Sequence, residues 1–436
     1  MRLHGIASGV SCECNGQALG GERSTLMKIL LVNDYGTPVG GAEVLTFALR
    51  DALRRQGHDV RLFASSAGSA PDSQAADYVC FGTVSRWRTI LQAFNPWAYV
   101  RLRRVLQEFR PDVVHVRMFL TQLSPAILPL LRRVPALYHV VWYRPVCQTG
   151  TKLLPGGSPC RETAGLTCYR SGCVPLRDWI PLELQMWLWK RWRHVFARIV
   201  ANSHAVQGSL LADGVDAVEV IHNGVAIESI TRVWSSTPLA VFAGRLVPEK
   251  GVDVLVQAFA LVVRSVPDAR LLIAGDGPER RNLVELAEQL GVAAYVTFLG
   301  HLPQEAMETK LARAWVQVVP SRWAEPFGLV AVEAMMRETA VIASRMGGLE
   351  EILQDGETGY LVTPNDPHQL AQRLEELLCD RSKADAMGRS GRHVAEARFS
   401  LTRQCEQFVS LYQQMVSDLP VVLSAKAATP IPAVRR

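Results

Sequence analysis

The stretch PSRWAEPFGLVAVE, at residues 320–333, is the most informative part of this chain. Pro326 would occupy a first helical position without losing a hydrogen bond, so a helix is predicted from about Phe327. Glu325 then lies just outside the helix and Glu333 about two turns inside it. The amides of a first helical turn favour an anion, and carboxylates accept hydrogen bonds from vicinal hydroxyls. The stretch therefore predicts a site for a ligand with phosphate and sugar groups. A plain helix cap with a half-exposed second glutamate is the alternative that it leaves open.

A second stretch, AGRLVPEKG at residues 243–251, supplies cations. Residues 239–243 are expected to form a strand, and the glycines after it let the backbone come close to a ligand. Arg245 offers a planar fork of donors and Lys250 a point charge, which together suit a diphosphate. This second stretch favours ligand binding over the plain helix cap.

These residues resemble the signature of the retaining glycosyltransferases of family 4. The signature consists of Gly244-Arg245, then Glu249-Lys250-Gly251, and then Glu325 and Glu333 with seven residues between them. The resemblance extends from about residue 27 to residue 415. It implies an α/β chain of the GT-B fold, in which two Rossmann-like, doubly wound domains face each other across a cleft. It also implies a nucleotide-sugar donor, UDP- or GDP-linked, and no obligatory cofactor or metal.

The resemblance implies roles for individual residues of the second domain. Arg245 and Lys250 would neutralise the leaving diphosphate, and Glu333 would hold the ribose hydroxyls. Glu325 would hold the transferred sugar together with the donor-binding backbone at Phe327, Gly328 and Leu329.

Residues of the first domain complete the expected site. Gly40 and Gly41 follow the first predicted strand and would reach across the cleft toward the donor phosphate or the acceptor, with an ordinary tight turn as the alternative. His139 is expected to end a strand, face the cleft and contact the sugar from the opposite wall. Family members often carry an acid beside this histidine, and Val140 replaces it here.

Residues 147–173 form an insertion-like loop that contains Cys147, Cys160, Cys168 and Cys173. Four thiols in so short a segment permit a tetrahedral structural zinc site. Their spacing is irregular and no CxxC pair is present, so a loop of free thiols is the alternative. The whole chain has nine cysteines, an odd number that favours a reducing cytoplasm over a disulfide framework.

The charge of the chain is concentrated in one segment. The net charge is +6, and the segment from Arg86 to Arg198 holds 18 basic and 5 acidic residues and most of the tryptophans. Such a segment favours an anionic membrane surface or a lipid-linked phosphate, and no motif for nucleic acid accompanies it. Residues 179–198 are predicted to form an amphipathic helix that either packs on the sheet or lies at the membrane interface. No apolar run is long enough for a transmembrane helix.

The 436 residues fit two α/β domains. We predict a disordered leader over 1–26, an acceptor-binding domain over 27–230, a nucleotide-sugar-binding domain over 237–399, a helix over 400–416 that crosses back to the first domain, and a flexible tail over 417–436. The predicted function is that of a retaining glycosyltransferase, cytoplasmic and peripheral on the inner face of the membrane. It would move a sugar to a glycan or lipid-linked acceptor in bacterial surface polysaccharide or glycolipid synthesis. A nucleotide-sugar epimerase of the same fold and a non-catalytic nucleotide-sugar-binding module are the alternatives.

Overall fold

The computed structural model describes residues 26–38, 40–68, 74–86, 88–227, 232–302 and 304–418. The predicted disordered leader and flexible tail fall almost entirely outside these residues. Within them the chain forms two parallel β-sheets, each flanked by helices.

The first sheet is built from the amino-terminal half of the chain. Its strands are β1 (Lys28–Tyr35), β2 (Asp59–Ser65), β3 (Tyr78–Cys80), β4 (Val113–Val116), β5 (Ala136–Val140), β6 (Arg198–Ala201) and β7 (Val218–Val220). Their order across the sheet is β3-β2-β1-β4-β5-β6-β7, and all neighbouring pairs are parallel.

The second sheet repeats this arrangement. Its strands are β8 (Leu239–Ala243), β9 (Arg270–Ala274), β10 (Val296–Gly300), β11 (Val316–Val319), β12 (Ala340–Ser344) and β13 (Gly359–Val362). They lie in the order β10-β9-β8-β11-β12-β13. The strand order reverses beside β1 in the first sheet and beside β8 in the second. Open α/β sheets bind ligands outside the carboxyl ends of the strands at such reversals.

Helices connect the strands and cover both faces of each sheet. In the first half they are α1 (Gly41–Arg55), α2 (Arg88–Ala93), α3 (Pro96–Phe109), α4 (Leu166–Arg170), α5 (Leu176–Trp192) and α6 (His204–Ala212). In the second half they are α7 (Val252–Ser265), α8 (Arg280–Gln289), α9 (Gln304–Leu311), α10 (Leu329–Met336), α11 (Leu349–Ile352), α12 (Pro367–Cys379), α13 (Arg381–Phe399) and α14 (Leu401–Ser417).

The sequence explains why the strands are central to each domain. β8 and β12, with the sequences LAVFA and AVIAS, are buried along their whole length, as parallel strands covered on both faces require. The helices that cover them have their own start signals, such as the Asp366 side chain that caps α12 ahead of Pro367. The prediction of an α/β chain with two Rossmann-like domains is confirmed.

The last helix, α14, packs on the first domain although it follows the second in sequence. Phe408 and Tyr412 of α14 are buried in one core with strands β1 and β4 and helix α1. At the crossing point the Val225 amide donates to the carbonyl of Phe399, and the Leu401 amide donates back to the carbonyl of Val225. These bonds tie the end of the first domain to the start of α14.

The helix that carries Glu333 begins later than the sequence predicted. It starts at Leu329, not at Phe327, so Glu333 lies about one turn inside it and not two. The reason is tertiary. Glu325 pairs with Gly347 in a short parallel bridge, which keeps the chain extended until Gly328, at φ 104°, turns it into the helix.

The tryptophan-rich helix is also shorter than predicted. Helix α5 ends at Trp192, and the chain turns before Arg198 opens strand β6. The prediction of a helix to Arg198 was wrong because residues 198–201 satisfy their backbone groups by pairing with β5 and β7.

Candidate active site

A buried carboxylate and a lysine meet at the carboxyl edge of the second sheet. The Lys250 Nζ atom lies 2.7 Å from Glu325 Oε1, and the Ser321 hydroxyl donates to the same oxygen at 2.6 Å. Glu325 is only 5% exposed. The Lys250 ammonium also lies 5.5 Å from the centre of the Trp323 ring, where its charge is attracted to the π face. The carboxylate is therefore held in one orientation by charged and neutral donors.

This meeting follows from the packing of two loops. β8 and β11 are neighbours in the sheet, so the loops that follow them lie side by side. The Arg322 amide donates to the carbonyl of Glu249 at 2.8 Å. Gly251 has φ 63°, and a Cβ atom there would collide with the carbonyl oxygen of Pro320. The two predicted stretches thus form one surface, and glycine is needed for their close contact.

Arg245 lies at the same edge but is exposed. Its side chain forms no hydrogen bond or ion pair with the residues that the structure describes. The guanidinium is therefore available to a ligand, whereas the ammonium of Lys250 is already paired with Glu325.

Glu333 is half-buried on α10. Burial raises the pKa of its carboxyl group from the ordinary 4.5 to about 7. The nearby charge of Arg337 lowers this pKa, and the charge of Glu308 raises it further. No side-chain hydrogen bond joins it to another described residue. Near neutral pH the group is therefore poised between its charged and neutral forms.

The glycine loop of the first domain faces the second domain. A Cβ atom built on Gly41 would lie 3.3 Å from Leu329 Cδ2, which places the start of α1 against the start of α10. Gly40, the residue before α1, provides no side-chain cap. Its amide donates to the carboxyl group of Glu43, whose pKa is raised chiefly by burial. The structure thus places Gly41 against Leu329 at the cleft. Contact of Gly40 or Gly41 with a ligand stays a prediction.

The loop before α10 is also attached to the first domain. The Ser203 hydroxyl donates to the carbonyl of Pro326 at 2.5 Å. Phe327 is buried against the rings of His222 and Phe399. Phe327 is therefore an anchor of this loop, and only its backbone remains for a ligand.

Glu351 of α11 makes a further bridge between the domains. Its carboxylate accepts the amides of His204 and Ala205 at 2.9 Å each, and His222 Nε2 lies 3.0 Å away. Burial alone would raise the pKa of Glu351, but these hydrogen bonds outweigh it and the pKa is lowered. His204, His222 and Glu351 also lie close enough to hold a metal ion. The carboxylate oxygens, however, already accept hydrogen bonds from the first turn of α6.

His139 does not face the cleft. It is fully buried in β5, between the rings of His115 and Phe408, and neither ring nitrogen has a hydrogen-bond partner among the described residues. Side chains alternate along a strand, and this one points to the face that α14 covers. Burial, with the charge of Arg117, lowers the pKa of His139 well below its ordinary value. The expectation of a sugar contact from His139 was wrong.

The residues that follow β5 lie where His139 was expected. Trp142 is half-buried and lines a cavity of the first domain. Tyr143 is buried with its ring 6.4 Å from that of Trp323, and the pKa of its hydroxyl is raised by burial and by Glu325. Neither residue was among those predicted from the sequence for the site. The signal available was a pair of aromatic residues directly after a buried strand.

The cysteine loop lies over the cleft. A cavity of about 590 Å³ separates it from the second-domain residues Pro248, Glu249, Arg322 and Asn365, beside the Lys250–Glu325 pair. Burial would raise the pKa of the Cys147 thiol, but hydrogen bonds from Thr149 and nearby backbone amides lower it. Among the four described thiols, no three come within 4.8 Å of one another, so a zinc site is not preformed. Zinc in this loop stays a prediction.

Two Rossmann-like domains with a carboxylate, a lysine and an exposed arginine at the cleft define a GT-B type of protein, and comparison with known proteins identifies the family. The model of the glycosyltransferase family 4 domain matches residues 39–229, and that of the glycosyl transferases group 1 matches residues 229–394. Together they cover most of the chain. The chain belongs to the family 4, group 1 glycosyltransferases.

Two of the named relatives are glycosyltransferases of bacteria. The chain is 38% identical over 164 residues to the GDP-mannose-dependent α-(1-6)-phosphatidylinositol monomannoside mannosyltransferase of Mycolicibacterium smegmatis, covering 36% of this chain and 43% of the relative. It is 36% identical over 226 residues to the D-inositol 3-phosphate glycosyltransferase of Corynebacterium urealyticum, covering 49% and 53%. The chain therefore spans about half the length of these curated relatives.

Solved structures share the fold over nearly the whole chain. Sucrose-phosphate synthase from Thermosynechococcus elongatus has a TM-score of 0.70 at 23% identity, covering 90% of this chain and 99% of that one. HepE from Anabaena, in complex with UDP and glucose, has a TM-score of 0.65 at 21% identity, covering 89% and 100%. None of the helices that the structure describes is long and apolar enough to cross a bilayer.

Proposed function

We propose that the protein is a retaining glycosyltransferase that transfers a sugar from a UDP- or GDP-linked donor. The observation that carries the proposal is the Lys250–Glu325 pair at the carboxyl edge of the second sheet, together with Arg245, which pairs with none of the described residues. Two cations at one edge suit a diphosphate, and a fixed buried carboxylate suits the hydroxyls of a sugar.

The proposed roles follow from how each group is held. Arg245 and Lys250 stabilise the negative charge that develops on the leaving diphosphate, so no metal is required. Glu325 and the backbone at Gly328 and Leu329 hold the sugar. Glu333 accepts the ribose hydroxyls, and Gly40 and Gly41 close the cleft over the donor phosphates.

The transfer exchanges one bond to the anomeric carbon for another. The bond from this carbon to the diphosphate oxygen breaks, and a bond to the oxygen of an acceptor hydroxyl forms on the same face of the sugar. The hydroxyl proton passes to the leaving phosphate oxygen, so no oxidant or reductant is needed. Lys250 and Arg245 favour this path because they stabilise the leaving group while it departs.

The test is a thermal-shift screen with UDP, GDP, ADP and their sugars, with and without EDTA. One nucleotide should stabilise the wild type, and EDTA should not change this. In the Lys250→Ala variant the activation barrier should rise by about 2 to 4 kcal/mol, so turnover should fall about thirtyfold to a thousandfold. The matched control is Lys310→Ala, an exposed lysine of α9. Normal turnover in Lys250→Ala would contradict the scheme.

The acceptor is proposed to be a glycan or a lipid-linked molecule reached at an anionic membrane surface. Helix α5 buries Leu182 and Trp189, yet its opposite side exposes an apolar stripe at helical spacing, namely Leu176, Ile180, Leu184 and Trp187. Ile90 of the adjacent helix α2 and Phe94, the residue directly after this helix, are also exposed. An apolar surface in the most basic segment of the chain suits the boundary between lipid tails and anionic head groups.

A vesicle flotation assay tests the membrane proposal. The wild type should float with phosphatidylglycerol vesicles, and the Ile180→Glu/Trp187→Glu variant should not. Leu290→Glu, at an exposed apolar residue of the second domain, is the control and should float normally. If the wild type does not bind the vesicles, the membrane proposal is refuted, and the proposal for the nucleotide-sugar donor is unaffected.

Synthesis of bacterial surface polysaccharide or glycolipid is the proposed setting. The named relatives are transferases that act on phosphatidylinositol mannosides or inositol phosphate, as their names state. These names favour glycosyl transfer over an epimerase or a non-catalytic binding module. Product analysis with and without acceptor distinguishes the three.

A further inference from the structure

The first domain contains a cavity lined by two arginines that form no ion pair with the residues the structure describes. It has a volume of about 360 Å³ and is lined by helix α2, by the segment after β5 and by helix α5. It shares Thr149 and Cys173 with the larger cavity beside the Lys250–Glu325 pair, so both open toward the same cleft.

Arg144 lies in the wall of this cavity and is almost fully buried. Its Nη2 atom donates to two neutral side chains, Gln92 at 2.8 Å and Gln185 at 3.2 Å. Its Nε atom has no partner, and no carboxylate of the described residues forms an ion pair with it. Burial lowers the pKa of Arg144 to about 10, so it remains a cation at neutral pH.

A second cation lines the same cavity. Arg88 is exposed, forms no ion pair with the described residues, and is close enough for its charge to lower the pKa of Arg144. Among the described lining residues Asp178 is the one carboxylate, and it already pairs with Arg177 at 3.2 Å. The charges of Cys147 and Asp34 also reach Arg144 and raise its pKa, but neither group forms an ion pair with it among the described residues. An unpaired buried cation is costly, and an anionic ligand would relieve that cost.

We propose that this cavity binds the phosphate group of the acceptor, with Arg144 and Arg88 as its ligands. This inference rests on the proposed glycosyl transfer and adds the chemical class of the acceptor, a phosphate ester of a sugar or polyol. Two guanidinium groups match the planar, paired geometry of phosphate oxygens.

The other lining groups suit the rest of such an acceptor. Trp142 presents a ring for the apolar face of a sugar. The Oε1 atom of buried Gln148 accepts no hydrogen bond from the described residues and can accept one from a hydroxyl of the acceptor. The helices that carry the cavity, α2 and α5, expose apolar side chains on their outer sides. A phosphate on a lipid would therefore reach the cavity from the apolar surface, and a soluble phosphate ester from the solvent.

The experiment measures binding of sn-glycerol 3-phosphate and of glycerol by calorimetry to four proteins. These are the wild type, Arg88→Ala, Arg144→Gln and the control Arg103→Ala, which removes an exposed arginine of α3 outside the cavity. Sedimentation with phosphatidylglycerol and with phosphatidylcholine vesicles forms the second arm. The proposal predicts that wild type and control bind the phosphate ester or the phosphatidylglycerol vesicles, and do not bind glycerol. Both cavity variants should bind that same probe about tenfold more weakly or worse.

The two arms distinguish the source of the phosphate. Loss confined to the vesicle arm, in Arg88→Ala and not in Arg103→Ala, supports a lipid-borne phosphate. Loss in the calorimetric arm supports a soluble ester. If Arg88→Ala and Arg103→Ala bind the phosphate ester and the vesicles equally well, the proposal is overturned. This outcome does not depend on whether Arg144→Gln folds. The nucleotide thermal shift is measured on the same samples, so phosphate binding without a nucleotide shift would refute the glycosyl transfer alone.

Discussion

Replacement of Glu333 by glutamine should make the protein more stable at high pH while weakening donor binding. In the native state burial raises the pKa of Glu333 from 4.5 to about 7. A tenfold change in an ionisation constant is about 1.4 kcal/mol, so ionising this group costs the folded state about 3 kcal/mol. Glutamine has nearly the same shape and never ionises.

The sign of the pH dependence follows from proton binding. Between pH 4.5 and pH 7 the native carboxyl group keeps a proton that the unfolded chain releases, so the free energy of unfolding falls as pH rises through this window. Below the window both states are neutral at this group, and above it both are charged. The advantage of Glu333→Gln over the wild type should therefore grow by about 2 to 3 kcal/mol from pH 5 to pH 8.

Thermal unfolding at the two pH values measures this difference. For a domain of this size, about 2 to 3 kcal/mol corresponds to a gain in relative Tm of about 5 to 10 °C. Glu357→Gln, at an exposed carboxylate, reports on the loss of surface charge alone. Nucleotide affinity of Glu333→Gln should fall about fivefold, because a neutral acceptor replaces a charged one. A Tm difference that is the same at pH 5 and pH 8 would refute the assignment of a buried, raised-pKa carboxyl group.

Three further substitutions separate stability from function. Arg245→Ala should leave Tm unchanged, since the side chain is exposed and unpaired among the described residues, and should lower nucleotide affinity about tenfold in calorimetry. Glu351→Ala should cost about 1 to 2 kcal/mol in urea unfolding because the amides at the start of α6 lose their cap; an unchanged midpoint would argue against that bridge. His139→Leu should keep normal turnover. A histidine buried in its neutral form gains a proton on unfolding below its ordinary pKa of 6.5, so the wild type loses stability as the pH falls. The variant should therefore lose about 2 kcal/mol less stability than the wild type between pH 7 and pH 5. Loss of turnover in that variant would restore His139 to the site.

The meeting of Lys250 and Glu325 could be predicted from the sequence for a physical reason. Each follows a short apolar strand, and the carboxyl ends of parallel strands lie at one edge of a sheet. The two residues then meet if β8 and β11 are neighbours in the sheet, and the structure shows that they are. The side to which His139 points could not be predicted in this way. A strand buried on both faces has no polar side, and the face in question is covered by α14, far along the chain.

The sequence by itself determined the succession of buried strands and helices, the family, and the residues of the donor edge, because these depend on local patterns of apolar residues, glycines and charges. Tertiary structure alone decided the start of α10, where pairing of Glu325 with Gly347 overrides the helix signal of Pro326. It also decided the ionisation of Glu333 and the lack of an ion pair between Arg144 and any described carboxylate. Burial and charge balance depend on which distant segments pack around a group, and no local pattern contains that information.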